Sequence, residues 1–319
     1  MTGEISINKF VYGFFVIVVL IAIFNSQLST SYTFDANYAN VTVDTTVNVS
    51  NSPPQITAII IDEDVTGENV TLLAGRTRTV YCNFTVLDYD GTADINTSNA
   101  TLWHSSTTIS GANDNNDHYF NSSCVEINTI DSNYARYQCA FDVQYYANNG
   151  TWYCNATVVD HYFFSQPNEN YSDTGQNTTI FNNLYALNIS TKLVDYGQVA
   201  VEAYSAEQTV NITNFGNRVL NVSVRGYGAS ENDGLAVNCS QNGNITIGNE
   251  RYAITSGVAW ASKTALSGTN TNINTLQILQ ETVDGTQIIN STYWELFVDP
   301  TNVPAGICNG SIVFSATIP

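Results

Sequence analysis

Tyr81-Cys-Asn-Phe-Thr-Val-Leu-Asp88 returns later in the chain as Tyr153-Cys-Asn-Ala-Thr-Val-Val-Asp160, identical at six of eight positions. Each copy alternates with period two, the pattern of a strand with one buried face. Cys82, Phe84 and Val86 share one phase, as do Cys154, Ala156 and Val158. Asn83, Thr85, Asn155 and Thr157 take the other phase, toward solvent. Two strands with an inward cysteine at equal depth predict the disulfide-pinned centre of a two-sheet sandwich.

Around this pair the chain reads as all-β, with two immunoglobulin-like β-sandwich domains in tandem behind an N-terminal hydrophobic helix. Residues 1–34 form the hydrophobic segment, 35–54 an extended strand or stalk, 55–184 the first sandwich and 185–319 the second. With 319 residues, each half has room to bury its own core. Phe10 to Phe24 carries no charge, and none follows until Asp35. That apolar run lies between a signal-peptide core and a full span, so an uncleaved anchor and a cleaved signal both fit. In either case the remainder is exported. The carboxyl end has no apolar tail, so membrane attachment is expected only through residues 10–30.

Asn40 to Ser50 alternates cleanly, with Val41, Val43, Val47 and Val49 on one face, before Pro53 and Pro54 end the pattern. It reads as an edge strand or stalk, and alternatively as a strand donated to a neighbouring molecule. Ile56 to Ile61 opens the first sandwich. Within it Cys124 and Cys139 flank a turn at Asp131–Asn133, which places them opposite one another in a hairpin. The expected pairs are therefore Cys82–Cys154 and Cys124–Cys139, leaving Cys239 and Cys308 together in the second half. Trp152, in phase with Cys154, is expected in the core. In the second half two alternating strands flank Asn214–Asn217, a hairpin signal. Asn113–Asp117 is one candidate for calcium, read chiefly as an ordinary exposed loop.

Acidic residues outnumber basic ones 28 to 9, giving a net charge of -19 and a pI near 4.1. Such a surface repels nucleic acid, which is excluded as a partner. Asn-x-Ser/Thr sequons begin at Asn40, Asn48, Asn69, Asn83, Asn96, Asn99, Asn121, Asn149, Asn155, Asn170, Asn177, Asn188, Asn211, Asn221, Asn238, Asn244, Asn290 and Asn309. Their density after the apolar segment points to N-linked glycans on an exported chain. Six cysteines, without a Cys-x-x-Cys and with only three histidines, fit disulfides rather than zinc.

Strands carrying Cys82 and Cys154 in a sandwich of this kind run in the same direction, so the loops after them emerge at one end. Asp88 and Asp160 should meet there, joined by Asp90 and Asp94 around Gly91. Three or four hard oxygen donors on converging loops suit calcium, the one cofactor the sequence suggests; a solvated acidic turn is the alternative. Tyr89, Tyr162, Phe163 and Phe164 add an aromatic character to the same end. No Gly-x-Ser-x-Gly, His-Glu-x-x-His or phosphate-cradling loop is present, and a non-catalytic protein is expected.

Asp195 to Val199, Asn214 to Leu220 and Ala305 to Ile312 match the opening, turn and closing motifs of certain exported modules. On these residues the second half resembles the Ig-like modules of secreted microbial surface proteins. With its acidic pI and sequons, the chain looks like an archaeal surface or surface-layer protein. That resemblance implies a glycosylated structural component of the cell envelope, held among copies of itself or other envelope proteins. The alternatives are an adhesion module, or a filament subunit assembled by donation of residues 40–50.

Overall fold

A computed structural model describes residues 42–47, 51–62, 69–160, 172–302 and 304–318. The apolar segment at 10–24, the sequons at Asn40, Asn48 and Asn170, and the aromatic Tyr162, Phe163 and Phe164 lie outside the described residues. Among those described there is no α-helix, and no helix long and apolar enough to cross a membrane. The fold is all-β.

The first half contains β1 (Gln55–Ile61), β2 (Arg78–Leu87), β3 (Ile95–His104), β4 (His118–Asn121), β5 (Val125–Thr129), β6 (Tyr134–Val143), β7 (Gly150–Asp160) and β8 (Ser172–Phe181). Two antiparallel sheets form, in the orders β1-β2-β6-β5 and β4-β3-β7-β8. With β1 to β8 lettered A, B, C, C′, D, E, F and G, these are the two sheets of the immunoglobulin-like sandwich. The repeated octapeptides occupy the B and F positions, one in each sheet. Their inward residues, Cys82, Phe84, Val86, Cys154, Ala156 and Val158, all sit in one buried core, whereas Asn83, Thr85, Asn155 and Thr157 are half-buried. A disulfide joins Cys82 to Cys154 across the sheets, and Cys124 is bonded to Cys139. Trp152 is fully buried, stacks on Phe181 at 4.6 Å and donates from Nε1 to Asn148 O at 2.7 Å. That bond back to the upstream turn fixes the start of β7, the role a tyrosine takes at this corner of related sandwiches.

The second half contains β9 (Leu187–Ile189), β10 (Gln208–Asn214), β11 (Leu220–Tyr227), β12 (Leu235–Cys239), β13 (Asn244–Thr246), β14 (Glu250–Ala253), β15 (Thr264–Ala265), β16 (Thr271–Ile278), β17 (Ile289–Leu296), β18 (Cys308–Asn309) and β19 (Ser311–Thr317). A five-stranded sheet, β15-β14-β17-β10-β9, and a three-stranded sheet, β16-β11-β19, enclose a core around Ile212, Val222, Val224 and Trp294. A small sheet, β13-β12-β18, carries the disulfide Cys239–Cys308.

Three expectations are corrected. The Asn214–Asn217 turn is not a hairpin: β10 and β11 belong to different sheets. Its polar groups are satisfied elsewhere. Asn214 Nδ2 donates to Arg218 O, Ile278 O and Leu279 O, while Asn217 Oδ1 accepts from Leu184 N at 2.7 Å. The Asn113–Asp117 loop is not simply exposed, because Asn116 is buried and donates to both Tyr146 O and Glu281 O. Thr42–Val47 is not an edge strand; it is exposed and lies in no ladder.

Residues 51–319 form one compact unit. Its halves meet at polar contacts: Tyr145 OH donates to the buried Glu281, Gln280 Nε2 to Tyr146 O, and Gly75 N to Phe215 O. Gly75 has φ +63°, and a Cβ there would fall 2.3 Å from the Phe215 ring, so glycine is required.

Candidate metal centre

At the end of the first sandwich the chain leaves β2 through Asp88, turns at Gly91 with φ +119°, and makes one 3₁₀ turn, Thr92–Asp94, before β3. The turn carries Asp94 back toward Asp88 and Asp90. Oxygens of these three carboxylates lie within 4.8 Å of one another, whereas Asp160, the fourth expected ligand, is not in that group. The loop is pinned to the β5–β6 turn: Asp88 N donates to Asn133 O, Thr92 N to Ser132 O, and Asn133 Nδ2 to the carbonyls of Asp88 and Tyr89.

Asp160, last residue of β7, pairs in register with Ile95, the neighbour of Asp94. It is fully buried, as is Asp88. The segment before β1 closes over the group, with Asn51 Nδ2 donating to Asp160 Oδ2 at 2.7 Å and Ser52 N to Asp90 Oδ2 at 3.0 Å. Asp88 Oδ2 and Asp160 Oδ1 are buried without a hydrogen-bond donor. Among the described residues no Lys or Arg forms an ion pair with Asp88, Asp90 or Asp160.

Electrostatics follow from that geometry. Burial first, then the hydrogen bond with Asp90 and the charge of Asp94, pushes the Asp88 carboxyl up to about 8. Burial also acts on Asp90, but bonds from Asp88 and Ser52 N–H outweigh it and hold Asp90 below the usual carboxylate range. Tyr89 is exposed beside the cluster. That the carboxylates would be enclosed by residues 51 and 52 was beyond sequence reasoning; the only trace is a polar pair, Asn51-Ser52, ahead of two prolines.

The described sequon asparagines (Asn69, Asn83, Asn96, Asn99, Asn121, Asn149, Asn155, Asn177, Asn188, Asn211, Asn221, Asn238, Asn244, Asn290 and Asn309) are all exposed or half-buried. The buried asparagines, Asn116, Asn214 and Asn217, begin no sequon.

No family model matches the sequence, and no curated protein is similar to it. Among solved structures, the chain is similar to the chaperone–tip adhesion subunit pre-assembly complex CsuC–CsuE of Acinetobacter baumannii Csu pili, with 12% identity, 82% of this chain and 100% of that chain covered, and a TM-score of 0.36. It is also similar to the CupB6 tip adhesin of Pseudomonas aeruginosa, at 8% identity, 83% and 94% coverage and a TM-score of 0.27. A third is the C-terminal domain of the AgI/II polypeptide BspA of Streptococcus agalactiae, at 9% identity, 82% and 97% coverage and a TM-score of 0.23. Likeness this loose carries no argument about function.

Proposed function

We propose that this chain is a non-catalytic extracellular subunit that joins other copies of itself by lending residues 41–49 as a strand to the free edge of β19. The observation that carries the reading is that edge. β19 pairs with β11 over all seven residues without a register break, and its other side has no ladder partner among the described residues. Exposed edges are normally blunted by charge, proline or bulges. Ser311–Thr317 has none of these, whereas the comparably long edge strands do: β8 carries Asp173, and β1 and β16 sit in ladders with register shifts. Ile312 and Phe314 pack only partly into the core, leaving apolar surface at the rim.

The proposed donor is complementary in length and pattern. Val41 to Val49 spans nine residues with valines recurring in one phase, and Val43 and Val47 are 70% and 84% exposed. Main-chain hydrogen bonds would supply affinity, and the valines specificity. Because donor and acceptor are different surfaces, the contact is heterologous and lets each subunit donate to the next, as open chains of subunits require. Three disulfides and the absence of any buried sequon asparagine among the described residues support a place outside the cell, with glycans on the flanks. The resemblance to surface modules supports an envelope setting, whether filament or lattice, held to the membrane through residues 10–30.

Deleting residues 41–49 tests this. Electron microscopy of the purified wild type should show polymers, and the deletion variant should give folded monomers with the same three disulfides. Polymers that persist in the variant would overturn the reading.

Adhesion has separate support in one aromatic group, in which Tyr204 is exposed and Trp260 and Phe297 are half-buried. Tyr204, Phe297 and Trp260 cluster with ring centroids 4.8 to 6.1 Å apart, and the Arg251 guanidinium lies 5.0 Å over Trp260. Flat rings beside a cationic donor suit the C–H faces and hydroxyls of a sugar. Trp260→Ala should abolish glycan-array binding if this face is used.

A further inference from the structure

We infer that Asp88, Asp90 and Asp94 hold one calcium ion, and that the ion fixes the Asn51–Ser52 approach against the end of the first sandwich, where Asn51 bonds to Asp160. Two oxygens bound to one calcium ion lie at most about 4.8 Å apart, twice a Ca–O distance of roughly 2.4 Å. The three loop carboxylates meet that limit without rearrangement.

The second observation is independent of their spacing. Asp88 and Asp160 come from strands in opposite sheets, both are fully buried, and each keeps one oxygen with no donor. A buried carboxylate oxygen without a partner is strongly unfavourable. A cation supplies the missing partner for a hard oxygen donor set that lacks His and Cys, which selects calcium or magnesium over transition metals. The loop is held by its bonds to the β5–β6 turn, so the donors are positioned before an ion arrives. Asn51 and Ser52 then act as positioning residues: their bonds to Asp160 and Asp90 each hold one carboxylate oxygen and fix residues 51–52 against the loop.

Titration calorimetry on the full chain, stripped with chelator and then given calcium chloride alone, tests the proposal. One ion per chain is expected, with a dissociation constant in the roughly 10⁻⁴ to 10⁻³ M range of extracellular modules. Amide exchange at residues 51–52 and 88–95 should slow at least tenfold with calcium. Asp88→Asn should weaken binding at least tenfold, since it removes an anionic oxygen donor, yet leave stability in chelator unchanged. Should Asp88→Asn fail to fold, the exchange comparison on the wild type still decides. Glu231→Gln, which removes a carboxylate elsewhere, should bind as the wild type does. No calcium heat and unchanged exchange at millimolar calcium would overturn the site, and an equal response to magnesium would overturn its assignment to calcium.

Discussion

Glu250 is buried with a bond from Tyr196 OH at 2.6 Å, and burial pushes its carboxyl up to about 7. A carboxyl raised above its ordinary value favours the protonated form in the folded chain. Its contribution is therefore fully present below pH about 4.5, declines as pH rises toward 7, and is constant above that. Glu250→Gln keeps the acceptor and cannot ionise. The wild type should lose about 3 kcal/mol relative to this variant between pH 4.5 and 7.5, measured by urea unfolding at both ends. A difference independent of pH would show that Glu250 titrates normally. Trp152→Phe keeps most of the packing but deletes the bond to Asn148 O, and should cost about 2 kcal/mol by the same measurement. Removing the Cys82–Cys154 bond by paired alanine substitution should cost roughly 4 kcal/mol, because it releases a long loop in the unfolded chain.

Elements differ in how well their sequences announce them. The octapeptides in β2 and β7 were legible because alternation and an inward cysteine are local signals that survive in the fold. The acidic end was legible in part: common strand direction places Asp88 and Asp160 at one end, but their burial depends on the chain before β1, which no local pattern reveals. The Asn214–Asn217 turn misled for a physical reason. Asn-x-Gly-Asn between alternating strands serves a tight hairpin, yet here the same side chains bind Leu184, Ile278 and Leu279, and the chain crosses between sheets. Asn217→Ala tests the difference. Loss of its bonds to Leu184 N and Asn182 O should cost about 2–3 kcal/mol, against under about 0.5 for an exposed hairpin turn.

At the scale of the molecule, residues 51–319 should unfold in one calorimetric transition, because polar contacts and the Gly75–Phe215 approach tie the halves together. Gly75→Val strains a positive φ and drives a side chain into Phe215; it should split the transition in two, and one unchanged peak would refute the coupling. The central claim is that one copy's 41–49 segment covers the β19 edge of the next. Amide exchange at Ser311–Thr317 reads it most directly, comparing the wild type with Val43→Asp/Val47→Asp, whose substitutions are exposed and spare the monomer. At assembling concentrations the wild-type amides should exchange at least tenfold more slowly than those of the variant. Equal exchange in the two proteins would contradict the claim.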